Sequence, residues 1–244
     1  MILAIDIGNT RIKYAVFEQN TIIFSEVSSR ENMKNAIENI LQNYSKIDCL
    51  VVSSVGITEK SDFEMFSTLV KLFFVNHDIL LPYYNSYTTP KTLGIDRVVL
   101  SAGAVLQFPD KNRLVIDAGT CVTYDFIDDK NVYHGGAISP GIKLRYESLH
   151  KYTAKLPLLT ISEPEKTIGN STQESIHSGV INGITFEING FIESLKVDKD
   201  NFIIILTGGD AIFLANRLKN TIFANSNFLL ESLNSLYQYQ KKND

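Results

Sequence analysis

Residues Met1 to Glu18 read MILAIDIGNTRIKYAVFE, a strand-turn-strand pattern that the chain uses twice. Ile2, Leu3, Ala4 and Ile5 form a short uninterrupted apolar run, the pattern of a strand buried on both faces. Asp6 follows, the chain turns at Gly8-Asn9-Thr10, and Arg11 to Phe17 alternates as a second strand. A carboxylate, a glycine backbone and a hydroxyl therefore meet at a strand-turn-strand corner. Such a corner suits a metal-bound nucleotide phosphate: Gly8 lets the phosphate approach the backbone, and Asp6 can hold Mg2+ or its water. Alone, Asp-x-Gly also closes ordinary hairpins, so the weight falls on its repetition.

The repeat is Leu114-Val-Ile-Asp117-Ala-Gly119-Thr120, which reproduces Leu3-Ala-Ile-Asp6-Ile-Gly8-Asn9-Thr10 in kind. Behind it come an alternating strand, Val122 to Ile127, a turn at Asp128-Asp129 and a strand toward Gly135. Two such corners, each opening a series of strands and helices, predict an α/β protein with a duplicated fold. Its two mixed-sheet domains would enclose a nucleotide cleft. The polar, turn-prone Pro109 to Asn112 marks the boundary, giving domains 1–110 and 111–244.

Between the corners, Thr21 to Val27 reads as a third strand and Asp48 to Ser53 as a fourth. Met33, Ala36, Ile37, Ile40, Leu41 and Tyr44 recur at helical spacing, as do Phe63, Phe66, Leu69, Val70 and Phe73 within Ser61 to Phe73. From His77 to Pro90 the pattern loosens, and Pro82 and Pro90 argue against a helix. Gly94-Ile95-Asp96-Arg97 then opens a strongly apolar helix, with a carboxylate where backbone N–H groups are free. By itself that dipeptide reads as a helix cap with a surface ion pair. Farther on, Gln173 to Lys196 has the spacing of a long helix. Gly179 and Gly183 lie one turn apart on its apolar stripe, which fits a subunit interface as readily as packing within the chain. Phe202 to Leu206 is a strand ahead of Gly208-Gly209, and the polar Tyr237 to Asp244 reads as a frayed tail.

Composition narrows the function classes. The 244 residues suffice for one large or two medium domains. With 23 basic against 27 acidic side chains, a net charge of −4 and no basic run, a nucleic-acid surface is excluded as an expectation. Anionic ligands must then be held by local Lys and Arg, metal ions and backbone N–H groups. No apolar run reaches the length of a membrane span, and Met1 to Ile5 lacks a charged leader, so a cytoplasmic protein is expected. Cys49 and Cys121 lie in apolar strand-like stretches and read as buried, reduced thiols. His77, His134, His150 and His177 are scattered without metal-ligand spacing, and neither the P-loop nor the Rossmann signature occurs.

Taken together, the motifs resemble those of the actin, Hsp70 and sugar-kinase superfamily, and most closely those of type III pantothenate kinases. The family pattern of Asp-x-Gly-Asn-Thr with a downstream Lys matches Asp6 to Lys13, and Gly-x-Asp-Arg matches Gly94 to Arg97. Asp-Ala-Gly-Thr matches Asp117 to Thr120, and Gly-Gly-x-Ile-x-Pro-Gly matches Gly135 to Gly141. The order is kept over nearly the whole chain. The resemblance implies phosphorylation of pantothenate by ATP, the entry step of coenzyme A synthesis, with Mg2+ and a monovalent cation, K+ or NH4+. It implies that Asp6, Gly8, Asn9, Thr10, Lys13, Gly119, Thr120, Gly208 and Gly209 bind ATP, Asp6 through Mg2+, and that Asp117 holds the monovalent cation. On the substrate side it implies Asp96 as the catalytic base. Tyr87, Gly94, Ile95, Arg97 and Thr172 would contact pantothenate, with Arg97 on its carboxylate. Tyr83 and Tyr84 compete with Tyr87 for that role. A homodimer is implied as well. The alternatives are a non-catalytic transcriptional accessory factor of the same family and another actin-fold phosphotransferase; Gly94 to Arg97 favours the kinase, and Asp6, Lys13 and Asp96 are all present.

Overall fold

Strand β1 (Ile2–Ile7) is buried along its whole length because it is the middle strand of a five-stranded sheet. The computed structural model describes residues 1–55, 60–195, 201–219 and 222–243. After β1 come β2 (Ile12–Glu18), β3 (Thr21–Ser28), α1 (Met33–Asn43), β4 (Cys49–Ser54), β5 (Lys71–Phe74), β6 (Tyr84–Asn85) and α2 (Ile95–Gln107). The second series is β7 (Asn112–Ala118), β8 (Cys121–Ile127), β9 (Val132–Pro140), α3 (Ile142–Lys151), α4 (Thr172–His177), α5 (Gly183–Leu195), β10 (Phe202–Thr207), α6 (Ala211–Ala215), β11 (Phe223–Ala224) and α7 (Phe228–Asn243). A π-helical turn, Ser178–Asn182, joins α4 to α5.

Contacts divide the chain into two compact units: Met1–Pro109 with Lys130–His134 and Asn227–Asp244, and Asp110–Asp129 with Gly135–Ser226. In the first, the sheet order is β3-β2-β1-β4-β5, antiparallel where the hairpins run and parallel after α1. One face of β1 and β2, with Leu3, Ile5, Ile7, Ile12 and Val16, packs on Ala36, Ile37 and Ile40 of α1. Helix α7 packs on β1, β2, β4 and α2. Strand β6 pairs in parallel with the start of β9, Tyr84 opposite Val132. In the second unit the order β11-β10-β7-β8-β9 repeats the plan, with β7 antiparallel to β8 and parallel to β10. Leu114, Ile116 and Ala118 of β7 pack with Ile181, Ile184, Ile188 and Ile192.

The structure departs from the sequence expectations in five places. Ser61 to Phe73 is not a helix: a 3-10 turn covers Lys60–Phe66, and Phe73 lies in β5, paired with Val51. An i, i+3 spacing such as Phe63 and Phe66 serves a 3-10 turn as well as an α-helix, and the apolar Leu-Phe-Phe that follows suits a strand edge. The loosened stretch before Pro90 holds the short strand β6. The expected Gln173 to Lys196 helix is broken by the π turn and described as far as Leu195; Lys196 lies outside the described residues. The Tyr237 to Asp244 tail is not frayed as expected, since α7 runs on to Asn243 and buries Tyr237 and Gln240; Asp244 lies outside the described residues. Finally, Cys49 is buried as expected, whereas Cys121, at the mouth of a hairpin, is exposed.

Candidate active site

Asp6 stands near the end of β1, with Lys13 opposite it on β2 and Ser53 opposite it on β4. Equal register on neighbouring strands puts all three side chains on one face of the sheet. Ser53 Oγ donates to Asp6 Oδ1 at 2.9 Å, so Oδ2 is the oxygen left for a ligand. Asp6 is only 8% exposed, and burial pushes its carboxyl up to about 6. The Ser53 hydrogen bond and the Lys13 ammonium pull it down, and the Asp96 carboxylate pushes it up again. Asp6 and Asp96 both belong to the first unit, near enough for their charges to interact. A buried, desolvated carboxylate with a second acid beside it fits a divalent cation, which would relieve both costs. Gly8 closes the turn, its N–H donating to the carbonyl of Arg11 at 3.1 Å, while Asn9 and Thr10 are exposed at its tip.

Asp96 lies in the first turn of α2, where Gly94 caps the helix without a side chain. The Arg97 N–H donates to Asp96 Oδ1 at 2.8 Å, so the carboxylate folds back over the helix start. A Cβ on residue 94 would stand 2.4 Å from that oxygen, so glycine makes room for the acid. Burial raises the Asp96 carboxyl, opposed by backbone hydrogen bonds and the Arg97 charge. The dipeptide is not a surface feature, as the sequence alone suggested, because Arg97 is buried. Arg97 is 5% exposed, and its guanidinium carbon lies 5.8 Å from the centroid of the Tyr87 ring. That separates the three tyrosines: Tyr83 is buried, Tyr84 is 72% exposed, and Tyr87 is the one beside Arg97. The Tyr87 segment is tied down by Ser86, whose N–H and Oγ both donate to the carbonyl of Tyr133.

The second unit carries the counterpart. Asp117 on β7 has Thr123 opposite on β8 and Thr207 opposite on β10. Thr123 Oγ1 and Thr207 Oγ1 are buried without a hydrogen-bond partner among the described residues. A carboxylate flanked by two unsatisfied hydroxyls is an oxygen-rich corner that fits a hard cation. Gly208 follows with φ 97°, and a Cβ there would stand 2.4 Å from Asp117 Oδ1; only glycine fits this approach. Gly209 is exposed, with open space where its Cβ would be. The Gly119–Thr120 turn is closed by the Gly119 N–H donating to the carbonyl of Cys121 at 2.9 Å. Thr172 starts α4 and lines a cavity of about 960 Å³ with Arg145, Leu149, Asn170 and Gly179. Among the described residues no group of His, Cys, Asp and Glu is arranged to hold a metal ion by itself.

Sequence reasoning missed Ser53, Thr123 and Thr207. The signal was present: each ends or interrupts an apolar strand next to a repeated aspartate strand, and pairing register turns that position toward the acid.

Comparison with known proteins adds the family. The model for type III pantothenate kinase matches residues 2–194. The chain belongs to the type III pantothenate kinase family. The type III pantothenate kinase of Flavobacterium psychrophilum is 66% identical over 241 residues, covering 99% of this chain and 100% of the relative. Among solved structures, a Campylobacter jejuni protein described as a Baf family transcriptional activator superposes with a TM-score of 0.65 at 21% identity, over 99% of this chain and 100% of that one. A glucokinase from an Antarctic psychrotroph superposes with a TM-score of 0.53 at 13% identity, over 97% of this chain and 98% of that one. At those identities the likeness is one of fold, the duplicated actin-like architecture. Among the described residues no helix is long and apolar enough to cross a membrane.

Proposed function

We propose that this member of the family transfers the γ-phosphoryl group of ATP to the primary hydroxyl of pantothenate, forming 4'-phosphopantothenate in the cytoplasm. What supports the reading is that the buried Asp6 corner and the Gly94 to Arg97 helix start lie in one compact unit, near enough for the Asp96 charge to act on Asp6. Phosphoryl transfer asks a protein for positioning and charge neutralisation more than for covalent chemistry. Gly8, Asn9 and Thr10 would offer backbone and hydroxyl donors to the phosphates, Lys13 its ammonium, and Asp6 the oxygen for Mg2+. Gly119, Thr120, Gly208 and Gly209 would do the same in the second unit. Asp117 would hold the monovalent cation, K+ or NH4+, with the hydroxyls of Thr123 and Thr207 beside it. When bound, the cations offset the negative charge of the phosphates.

Asp96 would accept the proton of the attacking hydroxyl. Its carboxyl is raised by burial and steadied by the helix N–H groups, which suits a base in a loose transition state. Arg97 would take the carboxylate of pantothenate, with Gly94 and Ile95 shaping the pocket and Tyr87 holding the guanidinium plane. Thr172 would contact substrate. The two corners open the halves 1–110 and 111–244 in this reading, with the last helix of the second half returning to the first compact unit. We also assign a homodimer through the π turn and α5: beyond their own helical backbone, nothing lies within 4 Å of where the Cβ atoms of Gly179 and Gly183 would be, and Phe186 is 62% exposed. The accessory-factor alternative draws no support from the Campylobacter jejuni structure, whose likeness is one of fold.

The test is product identification. Incubation with Mg-ATP, KCl and pantothenate is expected to yield phosphopantothenate by mass spectrometry, and glucose or N-acetylmannosamine in its place no phosphosugar. A phosphosugar without phosphopantothenate would favour the other phosphotransferases, and no product with any acceptor the accessory factor.

A further inference from the structure

The Gly135 to Gly141 motif is quoted by the family pattern but given no task by the function proposed above. Its last residues run off β9 into α3, where Gly141 lies against the Gly119–Thr120 turn. The Gly141 N–H donates to the carbonyl of Thr120 at 3.0 Å, and a Cβ on residue 141 would stand 2.1 Å from the carbonyl oxygen of Gly119. Contact that close leaves no slack, so a shift of the Pro140–Gly141 peptide is a shift of the turn.

Arg145, one turn into α3, holds that peptide. Its Nε donates to the carbonyl of Pro140 at 2.8 Å, and its Nη2 donates to Ser139 Oγ at 2.7 Å and to Glu187 Oε2 at 2.5 Å. Glu187, on α5, is fixed in turn by Tyr124 of β8, whose hydroxyl donates to Oε1 at 2.7 Å. The Tyr124 ring stacks on Phe191 with centroids 4.1 Å apart. Burial acts to raise the Glu187 carboxyl, but hydrogen bonds from Arg145, Tyr124 and Ser139 outweigh it and hold it below the ordinary value. The pair is thus charged at neutral pH. A half-buried ion pair between two helices is commonly plain packing. Here the guanidinium spends donors on the motif itself, and the motif's next residue touches the turn.

We propose that Arg145 is a positioning residue for the Gly119–Thr120 turn, acting through the Pro140–Gly141 peptide and anchored by Glu187. The proposal rests on the reading of that turn as part of the nucleotide site. The planar fork of Arg is what the geometry uses, so Lys is not an equivalent.

The experiment compares the full-length native chain with Arg145→Lys, Glu187→Gln and Tyr124→Phe. Affinity for Mg-ADP is measured by calorimetry without pantothenate, alongside KM for each substrate and the melting temperature. Arg145→Lys is expected to weaken Mg-ADP binding roughly tenfold and raise the KM for ATP by a similar factor, a larger change than in the KM for pantothenate, although Arg145 also lines the Thr172 cavity. Glu187→Gln and Tyr124→Phe are expected to show the same signature, smaller in that order. A lowered melting temperature with native Mg-ADP affinity would reduce the pair to packing and overturn the proposal, as would an equal rise in both KM values. Should Arg145→Lys fail to fold, Tyr124→Phe decides, and native affinity in that variant overturns it. Calorimetry reads nucleotide alone, so an absence of pantothenate turnover counts against the proposed function and not against this inference. A native chain that binds no Mg-nucleotide sinks both.

Discussion

Asp6 is placed at a cost to the fold. Its carboxyl titrates at about 6 when folded, above the 3.8 of an ordinary aspartate, so the folded state holds its proton more tightly than the unfolded one. The contribution favours folding below about pH 4 and is lost as pH rises through about 6. Above that the ionised group costs on the order of 3 kcal/mol. At pH 7.5 Asp6→Asn is therefore expected to raise the stability of the nucleotide-free protein in urea titration while abolishing the added stability conferred by Mg-ATP. A variant that is no more stable, or that keeps the Mg-ATP effect, would contradict this account of Asp6. Ser53→Ala removes a hydrogen bond that lowers the Asp6 carboxyl, so the pH below which Mg-ATP protection fades is expected to move upward. Tyr87→Leu should raise the KM for pantothenate several-fold with the KM for ATP unchanged, since the ring supports Arg97 and not the phosphate turns. At this scale the sequence was most legible where the motif names the residue, as with Asp6 and Asp96. It was least legible for Ser53 and Thr207, whose roles arise only once strand register sets them level with an aspartate.

Elements show the same division. The strands β1, β7 and β10 were readable as short apolar runs bounded by turns, and β2 and β8 from the alternation that follows each turn. The 3-10 turn at Lys60–Phe66 was not, since an aromatic i, i+3 pair does not distinguish helix types. Helix α4 is capped by Ser171, whose Oγ accepts from the Glu174 N–H at 3.2 Å, while Glu174 Oε2 accepts from the N–H of Asn170, the residue before the cap, at 3.3 Å. Ser171→Ala is expected to cost about 1 kcal/mol in chemical denaturation. Because the same turn presents Thr172, the KM for pantothenate should rise with it; an unchanged stability would remove the cap from the account.

At the scale of the molecule, the duplication was legible because each copy is local, whereas the destination of α7 was not. A C-terminal helix carries no mark of the sheet it returns to, and here Leu233 and Leu236 are buried in the unit that holds β1 and α2. Leu233→Ala is expected to destabilise the protein by about 3 kcal/mol, seen in the denaturation midpoint. The whole account turns on Asp96 as the base beside the Asp6 corner. The most direct measurement is ADP release coupled to pantothenate, with Mg-ATP and KCl, on the native chain and on Asp96→Asn, together with Mg-ADP affinity of both. Asp96→Asn is expected to lose most turnover and to bind Mg-ADP as well as native, since removing the Asp96 charge relieves Asp6. Equal turnover in the two proteins would contradict the role given to Asp96.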